Sequence, residues 1–486
     1  MVADAAGPLG RRFLRLAGLD AVAPALLGAD GRTVATRANL ARAALAVRDA
    51  VVQCAPPGPV ALWLPNGASF VAAFAGINLA GRPAGLVDAA ATREEVERCA
   101  AAIGARALLT SAERAEGWPA AWSVDGAALA VLDPGATVPL PEHTAALKLT
   151  SGSSGTPRAI ALSSRQLVAD TVQIFRTMGV GGADVTLAAI PLSHSYGVGS
   201  CLVPLLLAGT PLVFPASTLP AALAETLSRA RVAHFPAVPA MVRAIATLGD
   251  LPRFEHLRVA LSAGAPLAPA DAAAFHAATG RKVHVFYGSS ECGGITYDRS
   301  DAPVHVDGAV GTAMAGVTVE VVDADGRTLP VDTEGRVRVV SRAVALAILP
   351  PPSDSRTLEA GRFLTSDLGR LDATGRLTLT GRTAEELNVA GKKVHPEEVR
   401  RVLLELPGVR GAVVVGVPDP HRGQLVAALI ETEPECGLSV RAVLQACRAR
   451  LAPHKVPRRV VLVDRLPTSE RGKLRRDEVL KLLRGA

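Results

Sequence analysis

The sequence predicts an α/β protein: a large N-terminal domain of open, mostly parallel sheets, then a β-rich subdomain, then a small α+β domain. Three observations predict it. Strand-length apolar runs alternate with helix-periodic segments from the start to about residue 310. From about 310 to 380, strand patterns follow one another with no helical pattern between them. From Gly381 onward, helix and strand patterns mix over a length that suits one small domain. A chain of 486 residues is also too long for one hydrophobic core, so two or three domains are expected, and the change of pattern at Gly381 divides it into residues 1–381 and 382–486.

Taken in order, residues 35–51 read as an amphipathic helix and 60–64 as a short buried strand closed by Pro65-Asn66-Gly67. Residues 69–79 are helical in pattern and 83–87 strand-like. Thr92 with Glu95 forms a capping box ahead of a helix, and 107–110 is the next strand. An apolar run over 145–149 enters a Ser/Thr/Gly loop, and a helix pattern over 164–178 leaves it. Residues 185–191, 211–214, 232–235, 259–262 and 283–286 are further strands, each ending in turn or polar residues. Ligands of open α/β sheets sit at such strand ends. Residues 317–322 and 335–341 are strands, with a turn at Asp323-Ala-Asp-Gly326 and a loop at 349–352. The last region reads as helix 396–406, strands 412–417 and 425–430, helix 440–451 and strand 458–463.

Composition narrows the function classes. Hydrophobic residues make up 49% and charged residues 20%, an ordinary globular balance. A net charge of +7 suits anionic small molecules and is too weak for a DNA-binding protein, and 3% aromatic content argues against base-stacking platforms. No run reaches the ~20 apolar residues of a membrane span. The six cysteines show no C-x-x-C spacing, so free thiols in a reducing compartment are expected. Residues 1–10 lack a signal-peptide layout, although 14–27 is fairly apolar, and a cytoplasmic location is expected.

The loop Thr150-Ser151-Gly152-Ser153-Ser154-Gly155-Thr156-Pro157-Arg158 is dense in hydroxyls and backbone N–H groups, which suits a polyphosphate. It is not a Walker A loop, and a plain surface loop is the alternative. Downstream stand Ser262-Ala-Gly-Ala-Pro266, Phe286-Tyr-Gly-Ser-Ser-Glu291, Leu364-Thr-Ser-Asp367, Gly381-Arg382 and Pro467-Thr-Ser-Glu-Arg-Gly-Lys473. Singly, each has an ordinary reading. Asp367 and Arg382 suit a surface ion pair, Lys473 a basic face, and Phe286 and Tyr287 a core.

Together, and in this order, the six stretches resemble the core motifs of the adenylate-forming superfamily: acyl-CoA synthetases, adenylation domains and luciferases. The resemblance covers residues 150–473; the first ~140 residues match it in rhythm only. It implies two steps. A carboxylate attacks the α-phosphate of ATP, giving an acyl-adenylate and pyrophosphate, and a thiol then takes the acyl group. The thiol is that of coenzyme A or, alternatively, of a carrier-protein phosphopantetheine. A catalytically weak nucleotide-binding relative is a further alternative.

Residue roles follow from the same resemblance. Thr150, Ser151, Gly152, Ser153, Ser154, Gly155, Thr156 and Arg158 would hold the β- and γ-phosphates, and Glu291 would hold Mg²⁺ beside Gly288 and Ser290. Gly264, Ala265 and Pro266 would line the adenine, with Tyr287 on its face. Asp367, assisted by Arg382, would grip the ribose. Lys473 would bridge the substrate carboxylate and α-phosphate. His194 would shape or gate an acyl pocket lined by Tyr196, Gly197, Val238, Met241, Ala263 and Phe286, with Phe286 shortening it. Gly391 would flank the pantetheine tunnel, and a hinge near 383–384 would let the C-terminal domain rotate between the half-reactions. No Asp lies between Ile190 and Gly199 to pair with an amino-acid ammonium, so such a substrate is disfavoured. Departures from the family pattern are Arg158 for Lys, Ala159 for Gly, Ser290 for Thr, Ser366 for Gly, and Ala384 where relatives carry Asp or Lys.

Overall fold

Strand and helix alternate along the first 310 residues as the apolar patterning requires. The computed structural model describes residues 8–124, 127–132, 137–151, 157–352, 354–383, 387–389, 392–394, 396–419, 423–434, 436–451, 453, 455–468 and 474–484, with Thr150 and Ser151 described through their backbone. The chain forms two compact units: Met1–Glu320 with Arg338–Leu364 and Ala373–Leu377, and Val321–Val337 with Thr365–Asp372 and Thr378–Ala486.

The first unit holds two sheets. One runs in the order Ala347–Leu349, Pro157–Ser163, Thr144–Ser151, Ala84–Leu86, Val60–Trp63, Ala107–Ser111, Ala127–Val131, Ala120–Val124. Its centre is parallel and both flanks are antiparallel. Val60–Trp63 is buried along its whole length, which is why it reads as a continuous apolar run. The helix Ala68–Leu79 after it is buried from Phe70 to Leu79, so its sequence is apolar on every face. Thr92 and Glu95 close the capping box before Arg93–Ile103, as their spacing predicts.

The other sheet carries Gly293–Tyr297, Val283–Ser289, Val259–Ser262, His234–Ala237 and Thr186–Leu187 side by side. The three strands from His234 to Ser289 run parallel, in register Ala237 with Ser262 and Ser262 with Val285, so their C-terminal ends align along one edge. Phe235, Phe275, Leu227 and Val283 pack the core against one of its faces. The residues at that edge are the ones singled out in the sequence.

Two expectations are corrected here. The run 185–191 is strand only at Thr186–Leu187; Ala188 still donates its N–H to the Val213 carbonyl at 2.9 Å, and beyond it the backbone leaves the sheet to meet a side chain described below. The Ser/Thr/Gly loop does not open onto a helix. Residues Pro157–Ser163 form a strand paired back on Thr144–Ser151, and only then does the helix Ser164–Met178 begin, capped by Ser163. The four residues Ala159–Leu162 are all buried, so they continue the sheet before the capping box of Ser163 and Gln166 can start a helix. The edge hairpin of Ala120–Val124 and Ala127–Val131 carries no strong alternation and was not expected.

The strands Val317–Val322, Gly335–Ser341, Arg362–Leu371 and Arg376–Arg382 form the expected β-rich region, and each contributes residues to both units. In the second unit, helices Pro396–Leu404 and Val440–Arg450 cover one face of a sheet whose long pair is Val409–Asp419 with Gly423–Thr432. Arg459–Val463 joins Gly423–Thr432 in parallel, and the helix Arg476–Arg484 packs on the other face through Val479 and Leu483.

Candidate active site

The hydroxyl-rich hairpin comes first in the chain. Thr150 stands opposite Arg158 and Ser151 opposite Pro157, so the two strands deliver the loop between them at one sheet edge. Arg158, standing where the family has Lys, is exposed. Gly152, Ser153, Ser154, Gly155 and Thr156 lie outside the described residues, as do Ala384, Gly391 and Lys473.

The Tyr287 motif is a tight hairpin. Val283–Ser289 turns at Ser290, Glu291 and Cys292 and returns as Gly293–Tyr297, with Gly288 opposite Gly294 and Ser289 opposite Gly293. The Ser289 Oγ accepts from the Glu291 N–H at 3.3 Å and lies 3.2 Å from the Cys292 Sγ. The Ala345 N–H donates to the Glu291 carbonyl at 2.8 Å and pins the turn from outside. Glu291 therefore sits at the turn, half-buried, on a backbone held from two sides. Burial pushes the Cys292 thiol up to about 12, so it is a packing group rather than a nucleophile.

His194 is presented by a segment that Asn66 holds. The Asn66 Nδ2 donates to the Ile190 carbonyl and its Oδ1 accepts from the Leu192 N–H, each at 2.8 Å. That pairing holds the backbone that has left the sheet after Ala188. The His194 Nε2 then lies 2.9 Å from the Asp88 Oδ2, with about a third of each side chain exposed (32% and 30%). The next residue ties this segment to the Glu291 turn: the Ser195 Oγ donates to the Ser290 Oγ at 2.6 Å. Tyr196 packs its ring on Phe286 at 5.7 Å, tilted by 47°. Its phenol is buried, which raises its pKa well above the ordinary value.

Of the remaining candidate pocket residues, Val238 and Ala263 directly follow neighbouring strands, Phe286 lies within the next strand, and Gly197 and Met241 lie in helices. Ala263 donates its N–H to the Ala237 carbonyl at 3.1 Å, which aligns it with Val238. A side chain at Gly264 would reach Val238 Cγ1 at 3.9 Å. Gly264, Ala265 and Pro266 are exposed, Val238 and Met241 half-buried, and Phe286 buried. Met241 opens its helix by an N–H bond to the Val238 carbonyl at 2.9 Å. Met241 also packs on the core around Phe235, which leaves it less free to line a pocket than Val238. Gly197 closes the short helix Ser195–Gly197 beside Tyr196.

In the second unit, Asp367 and Arg382 meet: the Arg382 Nε donates to the Asp367 Oδ1 at 2.7 Å. The carboxylate is 13% exposed and the guanidinium 56%, so the acid is the anchored partner. Its backbone N–H donates to the Thr365 Oγ at 3.0 Å, and the Thr383 Oγ donates to the Ser366 carbonyl at 3.2 Å. Ser366, in place of Gly, is accommodated within the strand Arg362–Leu371.

Sequence reasoning missed four residues that hold this site: Asn66, Asp88, Lys148 and Asp170. Lys148 and Asp170 carried a signal, being one charge inside an apolar strand and one on the buried face of a helix. They are 3% and 6% exposed. Burial lowers the lysine pKa and raises that of the aspartate, each opposed by the other's charge. Asn66 and Asp88 sit in ordinary turns and carried none.

The AMP-binding enzyme family profile matches residues 23–349, and that of the AMP-binding enzyme C-terminal domain matches 398–473. A sulfoacetate–CoA ligase of Cupriavidus necator is 30% identical over 353 residues, 72% of this chain and 68% of its own. A feruloyl-CoA synthase of Amycolatopsis is 29% identical over 341 residues, 68% of each chain. An oxalate–CoA ligase of Arabidopsis thaliana is 27% identical over 453 residues, 87% of each. In fold, ATP-bound MatB from Rhodopseudomonas palustris superposes with a TM-score of 0.81 at 23% identity, over 97% of this chain and 98% of that one. The amide bond synthetase McbA of Marinactinospora thermotolerans reaches 0.79 at 26% identity, over 97% and 99%. The chain belongs to the AMP-binding enzyme family and is an ATP-dependent acid–thiol ligase of the acyl-CoA synthetase kind.

Proposed function

We propose that this enzyme activates an uncharged carboxylic acid, aromatic or medium-length aliphatic, and passes the acyl group to coenzyme A. The observation that carries the reading is the junction of the two halves of the site. Ser195 bonds Ser290 and Tyr196 packs on Phe286, so the turn that bears Glu291 also forms the wall of the acyl pocket. None of the pocket residues Tyr196, Gly197, Val238, Met241, Ala263 and Phe286 is charged, which favours an acid with no second ionised group.

In the first step a substrate carboxylate oxygen bonds the α-phosphorus of ATP as the bond to pyrophosphate breaks. Residues 150–156 and Arg158 hold the β- and γ-phosphates, Gly264, Ala265 and Pro266 with Tyr287 hold the adenine, and Asp367 with Arg382 the ribose. Lys473 donates to the carboxylate and the α-phosphate, where negative charge accumulates. Among the described residues no group of three or more His, Cys, Asp or Glu side chains is arranged to hold a metal. The single carboxylate of Glu291 fits Mg²⁺ that takes its other ligands from phosphate and water, and the ion neutralises phosphate charge when bound. In the second step the thiol sulfur attacks the acyl carbon, AMP leaves, and the thiol proton passes to solvent. Rotation of residues 382–486 about a hinge near 383–384 brings Gly391 beside the pantetheine between the steps. His194, held by Asp88, shapes the mouth of the acyl pocket. Free thiols at all six cysteines fit a reducing compartment such as the cytoplasm.

Pyrophosphate release across a panel of acids, with and without coenzyme A, tests the reading. Release with thioester formation supports it; release without thioester moves the acceptor to a carrier-protein phosphopantetheine, and no release with any acid points to a catalytically weak relative. Two substitutions test residue roles. Phe286→Gly is expected to shift the acid profile toward longer chains, raising relative kcat/KM for the longest acids about tenfold. An unchanged profile removes Phe286 from the pocket. Asp367→Ala is expected to raise the KM for ATP roughly thirtyfold, the equivalent of about 2 kcal/mol in charge-assisted hydrogen bonds, with the KM for the acid unmoved. Arg382→Ala should do less, its guanidinium being largely exposed.

A further inference from the structure

Beneath the site lies a buried pair of opposite charges that the reaction as described does not use. Lys148 is on the strand that leads into the phosphate hairpin, two residues before Thr150, and Asp170 is on the helix that follows it. Both are almost fully enclosed, at 3% and 6% exposure. A carboxylate so enclosed is costly unless opposite charge and hydrogen bonds compensate it. The Lys148 ammonium lies within electrostatic reach of Asp170, Glu291 and Cys292.

The backbone around Asp170 is shaped to its carboxylate. Gly294, on the return strand of the Glu291 hairpin, donates its N–H to the Asp170 Oδ1 at 2.9 Å. A Cβ on Gly293 would fall 2.3 Å from the same oxygen, and one on Gly199 2.6 Å from the other. Gly199 lies in the turn Val198–Leu202, directly after the His194-to-Gly197 segment. One carboxylate thus meets the two segments that carry Glu291 and His194, from a helix that begins where the phosphate hairpin ends.

We propose that Asp170, with Lys148 as its counter-charge, is a positioning residue for the metal–triphosphate half of the reaction. Its cradle sets the Glu291 turn against the phosphate hairpin, and Lys148 supplies the charge that lets an ionised Asp170 remain there. The proposal rests on Glu291 serving the metal–triphosphate complex. It predicts a selective effect: the pair governs how well ATP binds with its metal, not how ATP binds without it or how the thiol reacts.

The test uses the full-length chain, with ATP titrated calorimetrically in the presence and absence of Mg²⁺ and kinetics measured in parallel. Asp170→Asn keeps the shape and the oxygen facing Gly294 but removes the charge. It is expected to weaken ATP binding in Mg²⁺ about tenfold, while Mg²⁺-free ATP binding and thioester formation from supplied acyl-adenylate stay within about twofold. Gly199→Ala, which crowds the other oxygen and leaves both charges in place, should give the same selective loss and serves if Asp170→Asn does not fold. Lys148→Met should resemble Asp170→Asn, and combining it with Asp170→Asn should recover thermal stability lost by the single changes. Wild-type Mg²⁺ dependence that is unaltered in the folded variants overturns the proposal alone. A uniform loss in all parameters overturns it too, as a purely structural role would give that result. Wild-type binding that ignores Mg²⁺ overturns the Glu291 reading and the proposal with it.

Discussion

Lys473→Ala is expected to slow adenylate formation by about two to three orders of magnitude while ATP binding stays within a few-fold of wild type. The reasoning is electrostatic. Attack by a carboxylate on the α-phosphate brings two anions together, and a positioned ammonium matters most where that charge is concentrated. In the proposed function ATP has other holds in the ground state, through residues 150–158, Gly264 to Pro266 with Tyr287, and Asp367, so affinity is expected to survive. Single-turnover pyrophosphate release with equilibrium ATP binding separates the two quantities. Full activity in the variant would remove Lys473 from the chemistry and with it the leading account of the first step.

Gly293→Val is expected to destabilise the protein by about 2–5 kcal/mol and to abolish adenylation in whatever folds. Gly293 has φ of +69°, which a β-branched residue adopts only under strain. Its Cβ would also lie 2.3 Å from the Asp170 Oδ1, so the carboxylate or the turn must move. Moving the turn displaces Glu291, two residues away. Denaturant unfolding reads the first effect and pyrophosphate release the second. A variant with wild-type stability would show that the turn relaxes freely and that the cradle is not tight.

The site was legible in the sequence wherever its chemistry is local. Gly288, Ser290 and Glu291 are neighbours in the chain, and their hairpin follows from a strand run meeting a glycine-rich turn and returning. The same holds for Thr150 opposite Arg158, although the strand Pro157–Ser163 was hidden by its leading proline and its alternation of alanine with larger residues. Asn66 and Asp88 escaped because their partners, Ile190, Leu192 and His194, are more than a hundred residues away. A side-chain amide in a Pro-Asn-Gly turn looks like turn chemistry and nothing more until the distant backbone it captures is known. His194 was readable from the family pattern, whereas the carboxylate that orients it was not.

By itself, the sequence determined the alternation of elements, the family and the candidate residues for ATP and the acid. Periodicity, capping and short motifs are properties of neighbouring residues, and their energetics act over a few positions of chain. Only the tertiary structure decided which of those residues share a wall. Ser195 reaches Ser290 and Tyr196 reaches Phe286, and Asp170 is enclosed by Gly199, Gly293 and Gly294 because its helix packs on both the strand Gly293–Tyr297 and the turn Val198–Leu202. It also decided that Lys148 and Asp170 are buried. An isolated charge in an apolar run is a liability in the sequence and becomes a feature when the fold supplies the opposite charge and a fitted backbone.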